Sequence, residues 1–420
     1  MAQARADQPT LYGYRWVVLL VYSLITLVLQ LQWLTFAPIA RQAQAAYGAT
    51  PFQIDLLSLI FMLVFVVMCL PASHIIDKYG IRVGVGVGAA LTGIFGVLKG
   101  VGAESYALVV TAQVGLAVAQ PLVINAVTKV AAHWFPIHER ATAVGLATLA
   151  QFLGIIIVMI LTPMLVTTDS AGHVDLQGML LVYAILSAVA AVLLITLLRE
   201  RPPTPPGVES GDERLLSWRA IGHMLKQRNM LLITALFFIG LGVFNALSTC
   251  IDQLCAVKGL GEDETGMVGG VMLIGGVVGA AILPVLSDRL RKRRPFLILA
   301  MLLTTPALVG LTLAVGYVPL LIAATVLGLF LLGGGAPVGF QYAAEVSYPA
   351  AESVSQGVIL LVGQISGILF IVAINALGIM PMMWVFAGLG AVTVVIALAL
   401  SESPRILTAA AAAKAVQPAD

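Results

Sequence analysis

Residues 73–82 read SHIIDKYGIR and residues 284–293 read PVLSDRLRKR. Each is a short charged turn set between two long apolar runs, and the two aspartates, Asp77 and Asp288, lie 211 positions apart. A second pair recurs at almost the same spacing. AAHWFPIHERATAVGLATLAQFLGI at 131–155 aligns with AAEVSYPAAESVSQGVILLVGQISGI at 343–368, matching Pro136 to Pro349, Gln151 to Gln364 and Gly154 to Gly367, each 213 apart. An internal duplication accounts for both pairs. The chain is therefore expected to consist of two related halves, an organisation found in many carriers that bind their cargo between repeats.

Composition sets the solvent of those halves. Hydrophobic residues make up 60% of the 420 and charged residues only 10%, against about 25% in a soluble domain, and the mean hydropathy is +1.03. This is the profile of an integral membrane protein. The net charge of +2 gives no footing for a nucleic-acid partner. The densest basic run, DRLRKRRP at 288–295, lies between apolar segments, where topology signals belong. Cys69, Cys250 and Cys255 show no metal-ligand spacing, and they are expected to be packing residues, so no metal and no cofactor is predicted.

Scanning for the roughly 20 apolar residues that a spanning helix needs gives twelve segments, near 15–39, 54–76, 82–102, 106–132, 141–166, 177–198, 230–255, 265–287, 295–314, 317–343, 353–377 and 380–401. The predicted fold is an all-α membrane protein of twelve transmembrane helices in two pseudo-symmetric six-helix bundles. One bundle covers 1–198 and the other 230–402. A polar linker at 199–229, proline-rich and then amphipathic, joins them, and a tail follows at 403–420. The first segment is longer than a signal-peptide core and lacks a small-residue cleavage site, so it is expected to stay in the mature chain. Lys and Arg are retained on the cytoplasmic side. With the N-terminus inside, 19 of the 22 basic residues fall there, leaving Arg41, Lys99 and Lys258 outside. Both termini and the 199–229 linker are predicted to be cytoplasmic. A monomer in a cell membrane is expected, and the absence of Asn-x-Ser/Thr sequons fits a bacterial inner membrane.

Twelve spans in two related halves, with an aspartate-containing basic turn after spans two and eight, resemble the major facilitator superfamily of secondary transporters. Ser73 and Pro284 stand where that signature usually has glycine. The segments YRWVVLLVYSL, LQWLTFA, IDLLSLIFMLVFV, WFPIHERATAVG, RNMLLI and AAEVSYPAAES, followed by GQISGILF, are similar to the feline leukaemia virus subgroup C receptor-related family. Members of that family move choline and ethanolamine and have been linked to haem export. The likeness covers nearly the whole chain.

The first span carries VLQLQWLTFAPIA at 28–40, with Gln30, Gln32 and Trp33 at membrane depth. A polar amide facing lipid loses its water hydrogen bonds without replacement, so such residues are expected to face the bundle interior or a cavity. Gln120 lies midway along the fourth span, Asn125 little more than a turn below it, and Gln364 about 22 Å along its helix from Pro349 at 1.5 Å per residue. Gln151 is the duplicate of Gln364, and the duplication sets Trp33 against Phe244 and Asn245. An aromatic face with amides around it suits an ammonium, since the ring quadrupole attracts cations by about 0.5–2 kcal/mol. In the family that the chain resembles, a first-span tryptophan works with a seventh-span tyrosine and with glutamines in spans four and eleven. The resemblance therefore implies that Trp33, Gln120 and Gln364 contact the cargo, whereas Asn245 stands at the tyrosine position beside Phe244. It leaves choline, a related amine and another small polar metabolite open. The bland alternative is that Trp33, Gln30, Gln120, Gln151 and Gln364 only join helices.

Asp77, Lys78, Arg82, Arg140, Asp288 and Arg289 are expected to gate, because charged turns can pair with neighbouring helix ends and part when the cytoplasmic side opens. Plain topology anchoring is the alternative. Asp252 and Glu345 are candidates for proton coupling, against facilitated diffusion. The glycine runs GVGVGAALTG and GGVMLIGG lie inside apolar spans, where they read as close-packing surfaces, and LLGGGAPVGF as a break in the tenth span. With no phosphate-binding loop, zinc set or catalytic triad in the sequence, an enzyme is not expected. The carrier reading has two rivals, a proton-coupled carrier of an organic anion or haem-type ligand, and a membrane receptor or sensor without flux. An anion carrier would want a midplane Arg or Lys. The expected partners are a small molecule and membrane lipid.

Overall fold

A computed structural model describes residues 12–136, 139–168, 174–204, 226–347 and 352–402. Most of the linker, including the amphipathic stretch, and the tail at 403–420 lie outside those residues, as does Pro349. The chain divides into two compact units, Met1–Gly211 and Asp212–Asp420.

In the first unit the helices are α1 (Tyr14–Trp33), α2 (Ala40–Tyr47), α3 (Pro51–Val101), α4 (Tyr106–Ile124), α5 (Val127–Trp134), α6 (Arg140–Leu165) and α7 (Gln177–Leu197). A two-residue antiparallel pair, Thr167–Thr168 with Val174–Asp175, precedes α7. The second unit holds α8 (Arg228–Thr249), α9 (Ile251–Val257), α10 (Glu262–Leu290), α11 (Arg294–Leu313), α12 (Tyr317–Leu327), a π-helical stretch Gly328–Gly335, α13 (Ala336–Val346), α14 (Glu352–Leu377) and α15 (Ile379–Ala399).

Eleven of the described helical stretches are long and apolar enough to cross a bilayer. One of them, α3, has 51 residues, about 77 Å at 1.5 Å per residue and more than twice a hydrocarbon core of about 30 Å. Its backbone leaves helical geometry at Gly80, where φ is 87° and ψ 173°. That conformation is open to glycine and costly for any residue with a Cβ. The broken end is capped from afar, since Glu200 accepts from the Ile81 and Arg82 N–H groups at 3.1 and 2.7 Å. Two spans therefore run through α3, which makes twelve among the described residues, six in each unit.

Lipid explains the surface. Leu20, Val67, Ile94, Ile185 and Val192 stand outward, each more than half exposed, which would waste apolar area in water and costs nothing in hydrocarbon. Inside the first unit Val18, Tyr22, Ile25, Leu29, Val85, Ala89, Ala119 and Val123 are buried together. Small residues let the backbones close. A Cβ on Gly154 of α6 would lie against the Leu27 carbonyl of α1, and one on Gly328 would lie against the Met272 carbonyl of α10. The tenth span does not break at LLGGGAPVGF as the sequence suggested. It widens into the π-helical stretch Gly328–Gly335 and continues as α13, with Pro337 as the second residue of α13.

Candidate functional site

The first span does break, at a place hydropathy did not indicate. α1 stops at Trp33, a 3-10 turn follows at Ala37–Ile39, and α2 resumes at Ala40. Gln30 and Gln32 lie about 200° apart around α1 at 3.6 residues per turn, and they bond in opposite directions. Gln30 Oε1 accepts from Gln120 Nε2 at 3.4 Å, and Gln30 Nε2 donates to Gln151 Oε1 at 3.4 Å. Three of the four glutamines expected at the site thus form one chain of amides across α1, α4 and α6. These bonds are long, and Gln30 and Gln120 keep 8% and 7% of their surface. Such amides can exchange partners.

Gln32, fully buried, faces the other way. Its Nε2 donates to Ser187 Oγ at 2.8 Å and the Tyr183 carbonyl at 3.2 Å, and its Oε1 accepts from Lys99 Nζ at 2.9 Å. Lys99 lies in the last turn of α3, near a helix end as expected, and is 1% exposed inside the first unit. The lone lysine in FGVLKGVGA was the only sequence signal for it, and its partners come from α1 and the turn after it.

Trp33 is 6% exposed, and its indole N–H donates to the Ser58 carbonyl at 3.2 Å, while Ser58 Oγ donates to the Trp33 carbonyl at 3.2 Å. The polar edge of the ring is thereby satisfied. Asn125 bonds away from Gln120, donating to Ser73 Oγ and the Cys69 carbonyl, each at 3.0 Å, so it ties α4 to α3 rather than joining the amides.

In the second unit Asn245 Nδ2 donates to the Gly363 carbonyl at 3.2 Å, which sets α8 beside the residue preceding Gln364. Phe244 is 8% and Asn245 6% exposed. Gln364 Oε1 is buried and has no hydrogen-bond partner among the described residues. A buried carbonyl oxygen left unpaired costs about 1–3 kcal/mol, so this acceptor is poised for a donor.

The charged turns pair with neighbouring helix ends. Asp77 binds Lys129 at 3.2 Å; Lys78 lies over the Tyr79 ring at 5.2 Å; the backbone of Arg82 bonds Glu200. Asp288 pairs with Arg293 and Arg289 is exposed. Arg293 also reaches Glu345 at 3.1 Å, and Gln341 donates to the same carboxylate oxygen at 3.1 Å. Burial would lower the Arg293 pKa, but the bonds to Asp288 and Glu345 and their charges raise it on balance. Glu345 is thus one arm of a buried ion pair, and Arg293, Lys129 and Glu200 were not singled out from sequence. Arg140 donates to the Phe135 carbonyl at 3.2 Å. Asp252 is fully buried in the first turn of α9. Among the described residues no cluster of His, Cys, Asp and Glu could hold a metal.

Residues 18–371 match the family model described as Major Facilitator Superfamily. Solute carrier family 49 member A3 of Danio rerio is 32% identical over 391 residues, covering 90% of this chain and 81% of that one. The choline/ethanolamine transporter FLVCR2 of Homo sapiens is 28% identical over 86% of this chain and 71% of its own length. Among solved structures, a bacterial homologue of the human lysosomal transporter Spinster, inward-facing and unoccupied, superposes with a TM-score of 0.67 at 18% identity, covering 93% of this chain and 95% of that one. The D-xylose–proton symporter gives 0.69 at 13% identity, covering 93% and 99%. Those two share the fold. The sequence relatives carry the family, and they agree with the likeness to the feline leukaemia virus subgroup C receptor-related branch seen in the motifs. The chain is a membrane transporter, not an enzyme, and belongs to the major facilitator superfamily.

Proposed function

We propose that this transporter carries a small organic ammonium, choline-like in size and charge, by alternating access in a cell membrane with both termini cytoplasmic. The observation that carries the reading is the unpaired Gln364 Oε1, a buried acceptor that an N–H, O–H or positively charged group would satisfy. Within the first unit, Gln30, Gln120 and Gln151 offer adjustable amides of their own, and none of these three pairs with a charged side chain in the described contacts. Trp33 supplies an aromatic ring whose N–H is already satisfied, leaving its π face as the attractive element. The curated relatives named choline/ethanolamine transporters support the same class. Asn245 in place of the tyrosine expected from the resemblance removes one ring, which favours a primary or partly methylated amine over a fully enclosed quaternary one. Titration calorimetry of the purified protein with choline, ethanolamine and a small carboxylate tests this. Saturable heat from either amine and none from the carboxylate is expected; the reverse order would overturn the reading.

A further inference from the structure

The end of α1 exposes a carbonyl inside the protein. Leu34 N bonds Gln30 O and Ala37 N bonds Leu34 O, and among the described backbone bonds none of these turn N–H groups returns to Gln32 O. Lys99 of α3 fills that place: its Nζ lies 3.3 Å from Gln32 O, 2.9 Å from Gln32 Oε1 and 2.9 Å from Thr35 Oγ1.

The protons can be counted. Both N–H groups of the Gln32 amide are spent on Ser187 Oγ and the Tyr183 carbonyl, so Gln32 Oε1 faces Lys99 as an acceptor. The Thr35 hydroxyl gives its proton to the Leu31 or Gln32 carbonyl, 3.0 and 3.1 Å away, so Thr35 Oγ1 accepts as well. Gln113 Nε2 also donates to Gln32 O, at 3.5 Å, a longer contact than that from Lys99. The three oxygens around Nζ match the three N–H groups of an ammonium, one more than a neutral amine carries. The Phe36 ring lies 4.9 Å from Nζ, and the carbonyl end of a helix attracts positive charge. No carboxylate pairs with Lys99 among the described residues. The chain thus carries, at a broken helix, an oxygen-lined cation site already filled from within.

We propose that Lys99 is a resident cation: its ammonium occupies the place at the broken end of α1 that a small cation from solution would otherwise take, and so fixes the turn that positions Trp33. The first span then keeps its geometry without sodium or any other exchangeable ion. Lys99 is a positioning residue on this account, and only the role given to Trp33 rests on the carrier reading above.

Lys99→Ala should open a space lined by the same three oxygens. In full-length protein purified in detergent, without substrate, its Tm should fall by roughly 5–10 °C and recover saturably with millimolar methylammonium chloride. N-methylglucamine chloride at equal concentration should not restore it, and the parent should respond to neither. Lys99→Met fills the space without charge and should be destabilised beyond recovery by either salt. With the other four of the five tryptophans replaced by phenylalanine, Trp33 emission should shift in Lys99→Ala and return with methylammonium. A Lys99→Met protein as stable as the parent, or a Lys99→Ala protein that methylammonium leaves unchanged, would overturn the proposal. Should Lys99→Ala not fold, Thr35→Val and Thr35→Ser decide. The serine keeps the acceptor and should match the parent, whereas a valine variant of equal stability would show that the ammonium does not depend on these oxygens. Because no substrate enters these measurements, their failure is distinct from failure of the amine reading.

Discussion

Trp33 and Ser58 are bonded to each other twice, indole N–H to the Ser58 carbonyl and Ser58 hydroxyl to the Trp33 carbonyl, both at 3.2 Å. The clasp joins the last residue of α1 to the second turn of α3. It also separates two contributions of the tryptophan, since the N–H serves the fold and the ring is what the proposed reading gives to the cargo. Trp33→Phe removes the N–H and keeps an aromatic face; it should cost about 1 kcal/mol of stability and weaken amine binding a few fold. Trp33→Ala removes the buried ring as well and should cost about 3–5 kcal/mol. Thermal unfolding and calorimetry on the same samples read the two effects. Equal amine affinity in Trp33→Ala and the parent would remove Trp33 from the site.

The two units hold their charged turns with different strength. Arg293 and Glu345 have side chains 9% and 6% exposed, whereas Lys129 and Asp77 have 14% and 50%. Removing one member of a buried pair strands its partner at about 3–5 kcal/mol, and an exposed pair contributes about 0–1 kcal/mol. Arg293→Met should lower Tm far more than Lys129→Met. If Asp288 gates, Asp288→Asn, at the 63% exposed arm of the same cluster, should slow transport while leaving substrate affinity within about threefold, because a gate biases a conformational equilibrium without touching cargo. Lost affinity with an unchanged exchange rate would contradict gating.

Close helix contact in the second unit is equally testable. A Cβ on Gly328 would meet the backbone carbonyl of Met272, which cannot turn aside, whereas one on Gly145 would meet nothing within 4 Å. Gly328→Ala should therefore destabilise by at least about 1–3 kcal/mol through overpacking, and Gly145→Ala should leave Tm within about 1 °C. If the two behave alike, the contact between α10 and the π-helical stretch is looser than described.

Much of the fold was legible because a bilayer permits few alternatives. Hydropathy located both spans inside α3, and the spacing of Asp77 and Asp288 exposed the duplication. The link from Gln30 to Gln120 and Gln151 was also within reach, since all three are amides at membrane depth. Lys99 was not. A cation count assigns a lysine to whichever side its helix end approaches, and nothing local to FGVLKGVGA shows that a carbonyl freed in another helix will meet it. Arg293 was lost among the five basic residues of its turn for a related reason. Only the fold decides which of them turns inward to Glu345, and a run of charges carries no such address.

Topology can be read with impermeant maleimide on intact cells, in a background with Cys69, Cys250 and Cys255 replaced. Both test positions lie at exposed turns of the first unit. Glu104, between α3 and α4, falls outside under the charge distribution, and Pro203, after α7, falls inside. Glu104→Cys should label and Pro203→Cys should not until the cells are permeabilised. The opposite pattern would invert the assignment of both termini.

Gln364 offers the sharpest test of cargo charge. Its Oε1 is buried and unpaired among the described residues, so the wild-type amide presents an acceptor with partial negative charge. Gln364→Glu keeps the size and places a full negative charge at nearly the same point. For an ammonium cargo the added attraction offsets the cost of holding the carboxylate away from water, and affinity should hold or rise by up to about tenfold, equivalent to about 1.4 kcal/mol. For an anionic cargo the same charge repels at close range, and binding should fall below detection. Gln364→Ala removes the acceptor and should weaken an amine by about five- to tenfold, in line with one hydrogen bond to a charged group. Calorimetry with ethanolamine on the three proteins gives a rank order, glutamate at or above glutamine and glutamine above alanine. If alanine binds ethanolamine as well as glutamine does, Gln364 only holds α14 in place. If glutamate abolishes amine binding while the protein stays folded, the cargo is not held as a cation.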